Sequence, residues 1–214
     1  MSRFKLQKKH IPWLVIFLIL LLDQTSKFIV KTNMTIGQGI PVLGEWFIIY
    51  FIENKGMAFG LEFAGEHGKL ILSLFRIVAV GFIGWYIHKL IVQNAHTGLI
   101  ICISLIMAGA LGNIIDSAFY GVLFSESGFG YTAQFLPDGK GYAAFLHGNV
   151  VDMLYFPIIQ GNFPQWFPFW AGQEFIFFRP VFNIADSAIT IGVFILLIFQ
   201  KKFFEFEKKT LVKE

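Results

Sequence analysis

Four aspartates and two asparagines lie in or beside long apolar segments, where ionisable side chains are costly and by default mark a functional site. They are Asp23, Asn113, Asp116, Asp152, Asn183 and Asp186. Residues 113–117 and 183–187 repeat one pattern, Asn-Ile-x-Asp-Ser, whose three-residue offset places the amide and the carboxyl on one helix face. An amide in that position can orient the carboxyl and satisfy its lone pairs.

Paired aspartates indicate aspartic protease chemistry. Two carboxyls held close together at a water-accessible, low-dielectric place cannot both ionise, so they share one proton. The ionised member can take a proton from water, and the water then attacks a peptide carbonyl that the protonated member polarises. The pair titrates as a unit, so the proton belongs to neither residue alone.

Other chemistries lack their residues. The five histidines include no His-Glu-x-x-His pattern, and the chain has no Gly-x-Ser-x-Gly elbow, no Gly-rich phosphate loop and no Gly-x-Gly-Asp signature. Ser26 and Lys27 are adjacent and point apart on a helix. The single cysteine, Cys102, allows no internal disulfide and no cysteine metal site, and we expect it to be a packing residue. A net charge of +3 without a dense basic stretch argues against nucleic acid.

The elements that position these residues are predicted to be membrane helices. Hydrophobic residues make up 56% of the 214 positions and charged residues only 14%. Four stretches reach the roughly 20 apolar residues that a bilayer requires. They run from Ile11 to about Lys31, Lys69 to Ile91, Thr97 to Phe119 and Val181 to Gln200. The basic start followed by an apolar run resembles a signal peptide, but no small-x-small cleavage site follows, so we expect a retained anchor helix.

The distribution of charge predicts the topology. Residues 1–10 carry a net charge of +4 and residues 201–214 carry +2, whereas loops 33–68 and 120–180 carry −3 and −2. Because basic residues mark the cytoplasmic side, both termini are expected inside and both long loops outside. The six polar residues then lie at one depth, the outer boundary of the membrane.

The predicted fold is an all-α integral membrane protein with four transmembrane helices and one domain over residues 1–214. The outer loops are not featureless. Residues Gly44 to Phe51 are rich in aromatic and β-branched types, which favour a small β-element. Residues 163–170 form an aromatic-rich stretch typical of the headgroup boundary.

Several simpler interpretations stay open at this point. The Asn–Asp pairs could only hold helices together, as polar residues do in membranes. Asp152 could be a solvated loop acid or a cap, Asp23 could only brace its helix, and Asn54 could be a turn residue in Asn-Lys-Gly. The whole protein could be a small transporter whose acids bind cations or relay protons, or a non-catalytic lipid or assembly factor.

Five blocks of sequence resemble the lipoprotein signal peptidase (signal peptidase II) family. The strongest is Phe182-Asn183-Ile184-Ala185-Asp186-Ser187-Ala188, followed by Val150-Val151-Asp152 and by the glycine-rich block 109–116 that ends in Asn113-Ile114-Ile115-Asp116. Asp23-Gln24-x-Ser26-Lys27 and the block 54–60 that starts with Asn54 also match. The blocks occur in the family's order and span most of the chain, and together they favour the peptidase over the transporter.

The resemblance implies a catalytic pair of Asp152 and Asp186, with Asp23, Asn54, Asn113, Asp116 and Asn183 lining or supporting the site. It implies an aspartic endopeptidase of the inner membrane, active at its outer face, that cuts diacylglyceryl-modified prolipoproteins before the lipidated cysteine. It also implies membrane lipid as a partner and sensitivity to globomycin-type inhibitors. Neither the resemblance nor the residues call for a metal, a cofactor or nucleic acid.

The chain departs from the family pattern in two places. The family usually has Arg after the Asn-x-x-Asp block, where this chain has Ser117. We expect another cation to replace that Arg, with Arg179 as the candidate. Segments 117–148 and 157–178 are also longer than is typical of the family, which could alter substrate access or partners.

Overall fold

Four long helices form the frame of the molecule. The computed structural model describes residues 7–54, 65–177 and 179–211. Each of the four helices is long and apolar enough to cross a membrane, and together they are α1 (Ile11–Asn33), α2 (Gly65–Val92), α3 (Thr97–Ile115) and α5 (Ile184–Leu211). Continuous helix suits these apolar sequences because lipid offers no partners to backbone N–H and C=O groups.

Helix α3 is the central helix and packs against α1, α2 and α5. Its closest approach is to α5, where a Cβ atom added to Gly109 would lie 2.2 Å from the carbonyl oxygen of Ala185. A Cβ atom at Gly112 would lie 2.7 Å from Asp23 Oδ2. Small residues at such crossings let membrane helices approach closely, so both glycines are needed for α1, α3 and α5 to meet at the depth of the polar residues.

The C-terminal part of the third span is not regular α-helix. After Ile115 the chain continues as a π-helical segment, Asp116–Tyr120, and then as the one-turn helix α4 (Gly121–Leu123). Such π segments are rare and often occur at functional sites. The loop before the third strand crosses this segment closely, since Gly148 donates from its backbone nitrogen to the carbonyl oxygen of Ser117 at 2.8 Å.

The chain segments that connect the helices form two antiparallel sheets. The first has the strand order β1-β2-β3-β6, and the second pairs β4 with β5. The six strands are β1 (Gly39–Leu43), β2 (Phe47–Asn54), β3 (Val150–Tyr155), β4 (Ile159–Asn162), β5 (Glu174–Phe177) and β6 (Val181–Phe182). The pairing of β2 with β3 changes register between Ile49 and Ile52, which places one extra residue in β2.

The four spans are confirmed, but two local predictions were wrong. Residues Val181–Phe182 pair with β3 instead of opening the last helix, which begins at Ile184; the preceding Pro180 disfavours helix at residue 179. Asp152 lies in a strand and not in a loop, because β2 and β6 supply partners for Val150–Tyr155. The small β-element predicted over residues 44–51 is confirmed for residues 47–51, which belong to β2, while residues 44–46 form the turn that precedes it.

Two apolar clusters lie at opposite ends of the central helix. One contains Phe51, Val151 and Met153 of the sheet with Val30 of α1 and Tyr120 of the π segment. The other contains Cys102 with residues of the α2–α3 turn and of α5, which confirms Cys102 as a packing residue. The placement of both termini in the cytoplasm stays a prediction.

Candidate active site

Asn183 caps the last helix and so fixes the position of Asp186. It is the residue before α5, and its Oδ1 atom accepts a hydrogen bond from the backbone nitrogen of Asp186 at 2.8 Å. An asparagine is among the preferred residues for this role. The cap places Asp186 in the first turn of the helix, where the exposed N–H groups favour a carboxylate.

The other end of the Asn183 amide holds Asp152. Its Nδ2 atom donates to Asp152 Oδ1 at 2.7 Å, and both side chains are buried. Asp152 lies in β3, and its carboxyl also accepts a hydrogen bond from Asn54, the last residue of the neighbouring β2. One asparagine therefore ties the strand that carries Asp152 to the helix that carries Asp186.

Asn113 completes this chain of side chains from α3. Its Nδ2 atom donates to Asp186 Oδ1 at 2.8 Å, and its Oδ1 atom accepts from Asn183 Nδ2 at 3.2 Å. The sequence pattern predicted that each asparagine would serve the aspartate three residues later on its own helix. For the side-chain bonds that prediction was wrong: Asn113 holds Asp186, and Asn183 holds Asp152, because the amides reach across between elements.

Asp23 and Asp116 lie one layer away, around a buried lysine. Lys27 Nζ lies 2.9 Å from Asp23 Oδ2 and 2.8 Å from Asp116 Oδ2, and all three side chains are fully buried. Asp23 accepts from the backbone nitrogen of Ala185 at 2.9 Å, and Asp116 accepts from that of Val151 at 3.2 Å. The two acids thus hold the residues next to Asp186 and Asp152.

Burial and like charge act together on Asp152. Burial in the protein, reinforced by the nearby charge of Asp186, raises the pKa of Asp152 to about 7. The hydrogen bonds from Asn183 and Asn54 and the charge of Lys27 oppose this rise without cancelling it. A raised carboxyl pKa beside a second carboxyl is the condition under which two aspartates can share a proton near neutral pH.

An apolar cavity of about 340 Å³ opens beside the site. Its walls come from the C-terminal half of α1, from the first three strands and from Ile184 at the start of α5. Met153, the neighbour of Asp152, also lines it. Across residues 7–54, 65–177 and 179–211, no three His, Cys, Asp or Glu side chains come together in a way that could hold a metal ion.

Comparison with known proteins places this arrangement in a family. The family model described as signal peptidase (SPase) II matches residues 15–202, which is most of the chain. The chain belongs to the signal peptidase II family. Members of this family are aspartic peptidases, which agrees with the pairing of Asp152 and Asp186 through amide side chains.

Relatives of known name support the assignment to the signal peptidase II family. The lipoprotein signal peptidase of Porphyromonas gingivalis is 55% identical over 185 residues, which cover 86% of this chain and 80% of the relative. The enzymes of the same name from Amoebophilus asiaticus and Pelodictyon phaeoclathratiforme are 36% and 32% identical. Those matches cover 86% and 92% of this chain, and 75% and 93% of the relatives.

Solved structures share the fold. A bacterial membrane enzyme determined by the in meso method superposes with a TM-score of 0.56 at 24% identity, covering 89% of this chain and 87% of that one. A second enzyme with the same description gives a TM-score of 0.53 at 25% identity, covering 87% and 90%.

Three residues of the signal peptidase II site were missed by sequence reasoning. Lys27 was seen only as part of a matching block, although an Asp and a Lys four residues apart in a membrane span indicate an ion pair. Gln24 donates to Asp116 Oδ1 at 2.9 Å. Arg76 of α2 interacts electrostatically with Asp186, Asp116 and Asp152, and its signal was a charged residue within an apolar span.

The structure shows two cations near the acids that sequence reasoning did not name for this role. Arg179 is exposed, whereas Arg76 and Lys27 are the positive groups that act on the carboxylates. Ser117 is buried, and its hydroxyl donates to the backbone oxygen of Asn113 at 3.0 Å, so it contributes no charge. Asn54 is described at the end of β2, but residues 55–60 of its sequence block lie outside the described residues.

Proposed function

We propose that the chain removes the signal peptide from diacylglyceryl-modified prolipoproteins, cutting before the lipidated cysteine, with Asp152 and Asp186 as the catalytic pair. The observation that carries the assignment is the Asn183 side chain, which binds Asp152 at 2.7 Å and the backbone of Asp186 at 2.8 Å. The name lipoprotein signal peptidase of the relatives supports the substrate class.

The proposed reaction is direct hydrolysis by an activated water. The ionised carboxylate of the pair takes a proton from water while the water oxygen attacks the scissile carbonyl carbon. The protonated carboxyl donates its proton to the carbonyl oxygen. When the tetrahedral intermediate collapses, the C–N bond breaks and a proton passes to the leaving amine. The pair is left with one proton, so no covalent enzyme intermediate, metal or cofactor takes part.

The other polar residues position the pair. Asn183 and Asn113 each hold one carboxyl by its Oδ1 atom, which fixes the orientation of both groups. Asp23 and Asp116 accept hydrogen bonds from the backbone next to the two catalytic aspartates and neutralise the positive charge of Lys27. Asn54 touches Asp152 from the next strand, where it can also meet the substrate.

The proposed setting is the inner membrane, with the pair at its outer face, both termini in the cytoplasm and residues 1–214 as one domain. The charge bias of the termini and loops supports this orientation. The apolar cavity beside Met153 suits a lipid chain of the substrate. Globomycin-type inhibitors and membrane lipid are the expected further ligands.

The test is cleavage of a lipid-modified prolipoprotein by purified protein, with Asp152→Asn and Asp186→Asn compared with wild type. Both variants should fold and lose activity, because an amide cannot exchange the proton that the reaction moves. Asp138→Asn, which changes an exposed loop aspartate, is the matched control and should cut normally. Chelators and serine reagents should have no effect.

Either of two results would reject the assignment. One is failure of the wild type on a lipidated precursor that the P. gingivalis relative cleaves. The other is full activity in either dyad variant. In both cases the transport alternative, in which the acids bind cations or relay protons, would have to be tested next by ion flux in vesicles.

A further inference from the structure

A second buried ionic cluster lies one turn of α1 beyond the cluster of Asp23, Lys27 and Asp116. Asp23, Lys27 and Lys31 follow one another at four-residue spacing on one face of α1. Lys31 is fully buried, forms an ion pair with Glu53 of β2 and donates to Ser127 Oγ at 3.0 Å. Ser127 in turn donates to Glu53 Oε1 at 2.7 Å. The proposed reaction uses none of these three residues.

The second oxygen of Glu53 holds the start of β3. Glu53 Oε2 accepts a hydrogen bond from Asn149 Nδ2 at 2.8 Å. Asn149 also accepts from Lys69 Nζ of α2 at 2.8 Å, and its backbone nitrogen donates to the Tyr142 hydroxyl at 2.7 Å. Glu53 is therefore the point at which α1, the last residues of β2, the segment 124–149 and the start of β3 are joined.

This cluster lies beside the bulge in β2, where the pairing of β2 with β3 changes register. On one side of the β2 bulge Ile49 pairs with Leu154, and on the other side Ile52 pairs with Asp152, a register shifted by one residue. A one-residue slip would turn each side chain to the opposite face of the sheet. Among the described residues three pairs follow the bulge, and the bond between Glu53 and Asn149 lies at their far end, where it helps to hold Asp152 in place.

The two residues that the cluster would move are both in the proposed site. Asn54 follows Glu53 directly and donates to the carboxyl of Asp152. Asp152 lies three residues after Asn149, which directly precedes β3. We propose that Lys31, Glu53 and Asn149 are positioning residues of the peptidase, which fix the bulged β2–β3 pairing and thereby set the positions of Asp152 and Asn54. The inference rests on the proposed function.

The key variant is Glu53→Gln, which keeps the shape of the side chain. Its single amide oxygen will turn toward the Lys31 ammonium, so its NH₂ group faces the NH₂ group of Asn149 and the bond to β3 is lost. Because a misplacement of about 1 Å can cost about 100-fold in rate, we expect kcat to fall by about 10- to 100-fold. The alkaline limb of the pH–rate profile should shift as well, since the distance between the two carboxyls sets their titration.

The double variant Lys31→Met/Glu53→Gln separates positioning from stability. Without the ammonium the Gln oxygen is free to face Asn149, and its NH₂ group can donate to Ser127. We therefore expect kcat to recover to within about fivefold of wild type, an order-of-magnitude figure that assumes the Asn149 bond reforms. A role in stability alone predicts changes in melting temperature while kcat and the pH profile of the folded protein stay as in wild type.

Ser127→Ala decides the question if Glu53→Gln does not fold, because it removes one bond to Glu53 and leaves the ion pair intact. It should lower kcat severalfold, whereas Ser125→Ala, a loop serine that instead accepts from the backbone of Gln134, should not. Wild-type cleavage, and its loss in Asp186→Asn, test the proposed function separately in the same assay. Wild-type kcat in Ser127→Ala, or a double variant no faster than folded Glu53→Gln, would overturn the inference.

Discussion

Replacing Gly109 by alanine should push α3 away from α5 and reduce both stability and activity. The added Cβ atom would lie 2.2 Å from the carbonyl oxygen of Ala185 and 2.6 Å from Ile189 Cγ1. Carbon–oxygen contacts in proteins lie at about 3.3 Å or more, so the two helices must separate locally by about 1 Å. The obstacle is backbone, which a rotamer change cannot remove.

The size of the effect follows from two opposing contributions. Overpacking costs about 1–3 kcal/mol, with a backbone clash at the upper end, while alanine returns about 1 kcal/mol of helix preference over glycine. The net loss is about 2 kcal/mol. Asn113 lies one turn further along α3, so its 2.8 Å bond to Asp186 would stretch to about 3.8 Å and break. A displacement of this size should lower kcat by about 100-fold.

The assay compares Gly109→Ala with Gly81→Ala, a glycine of α2 whose added Cβ would have no neighbour within 4 Å. Tryptophan fluorescence during heating gives the apparent melting temperature in detergent, and prolipoprotein cleavage gives kcat. Gly81→Ala should match or slightly exceed wild type in both. Equal melting temperatures and equal rates for the two variants would refute the close-packing argument.

Three further predictions concern charge and the cavity. Asp152 has a pKa raised to about 7 by burial and by the charge of Asp186, so between about pH 4 and 7 the folded state holds a proton that the unfolded state releases, and stability falls as pH rises. Asp152→Asn should lack this fall between about pH 4 and 7. Melting temperatures that change with pH in the same way for both proteins would contradict the prediction. Lys27→Met leaves two buried carboxylates without their ammonium and should cost about 3–5 kcal/mol, whereas exposed Lys201→Met should be neutral in the same thermal scan. Ile40 lines the cavity, so Ile40→Trp should fill part of it and raise KM for the lipidated precursor more than it lowers kcat. Val42→Trp, on the same strand, is the control. An identical effect of the two variants would reject the cavity as a lipid site.

Much of the frame was predictable because its causes are local. About 20 apolar residues in a row form a membrane helix whatever surrounds them, since the backbone must satisfy its own hydrogen bonds. The ends of the spans were less predictable. Val181–Phe182 formed a strand because β3 offered partners, Leu154 and Tyr155, far earlier in the chain, and no local signal reports such a partner.

The sequence by itself determined which residue types gather at one depth of the bundle: charged and amide groups in apolar spans are rare enough to be recognised without coordinates. Only the tertiary structure decided which amide holds which carboxyl. Asn113 and Asn183 each precede an aspartate by three residues, yet their side-chain amides bind the carboxyls of aspartates on other elements, because the packing of the helices and the sheet sets those distances. The same holds for Lys31 and Glu53, which form an ion pair although they lie on different elements, α1 and β2. Contacts within one helix follow from residue spacing, whereas contacts between elements follow from how closely the elements pack.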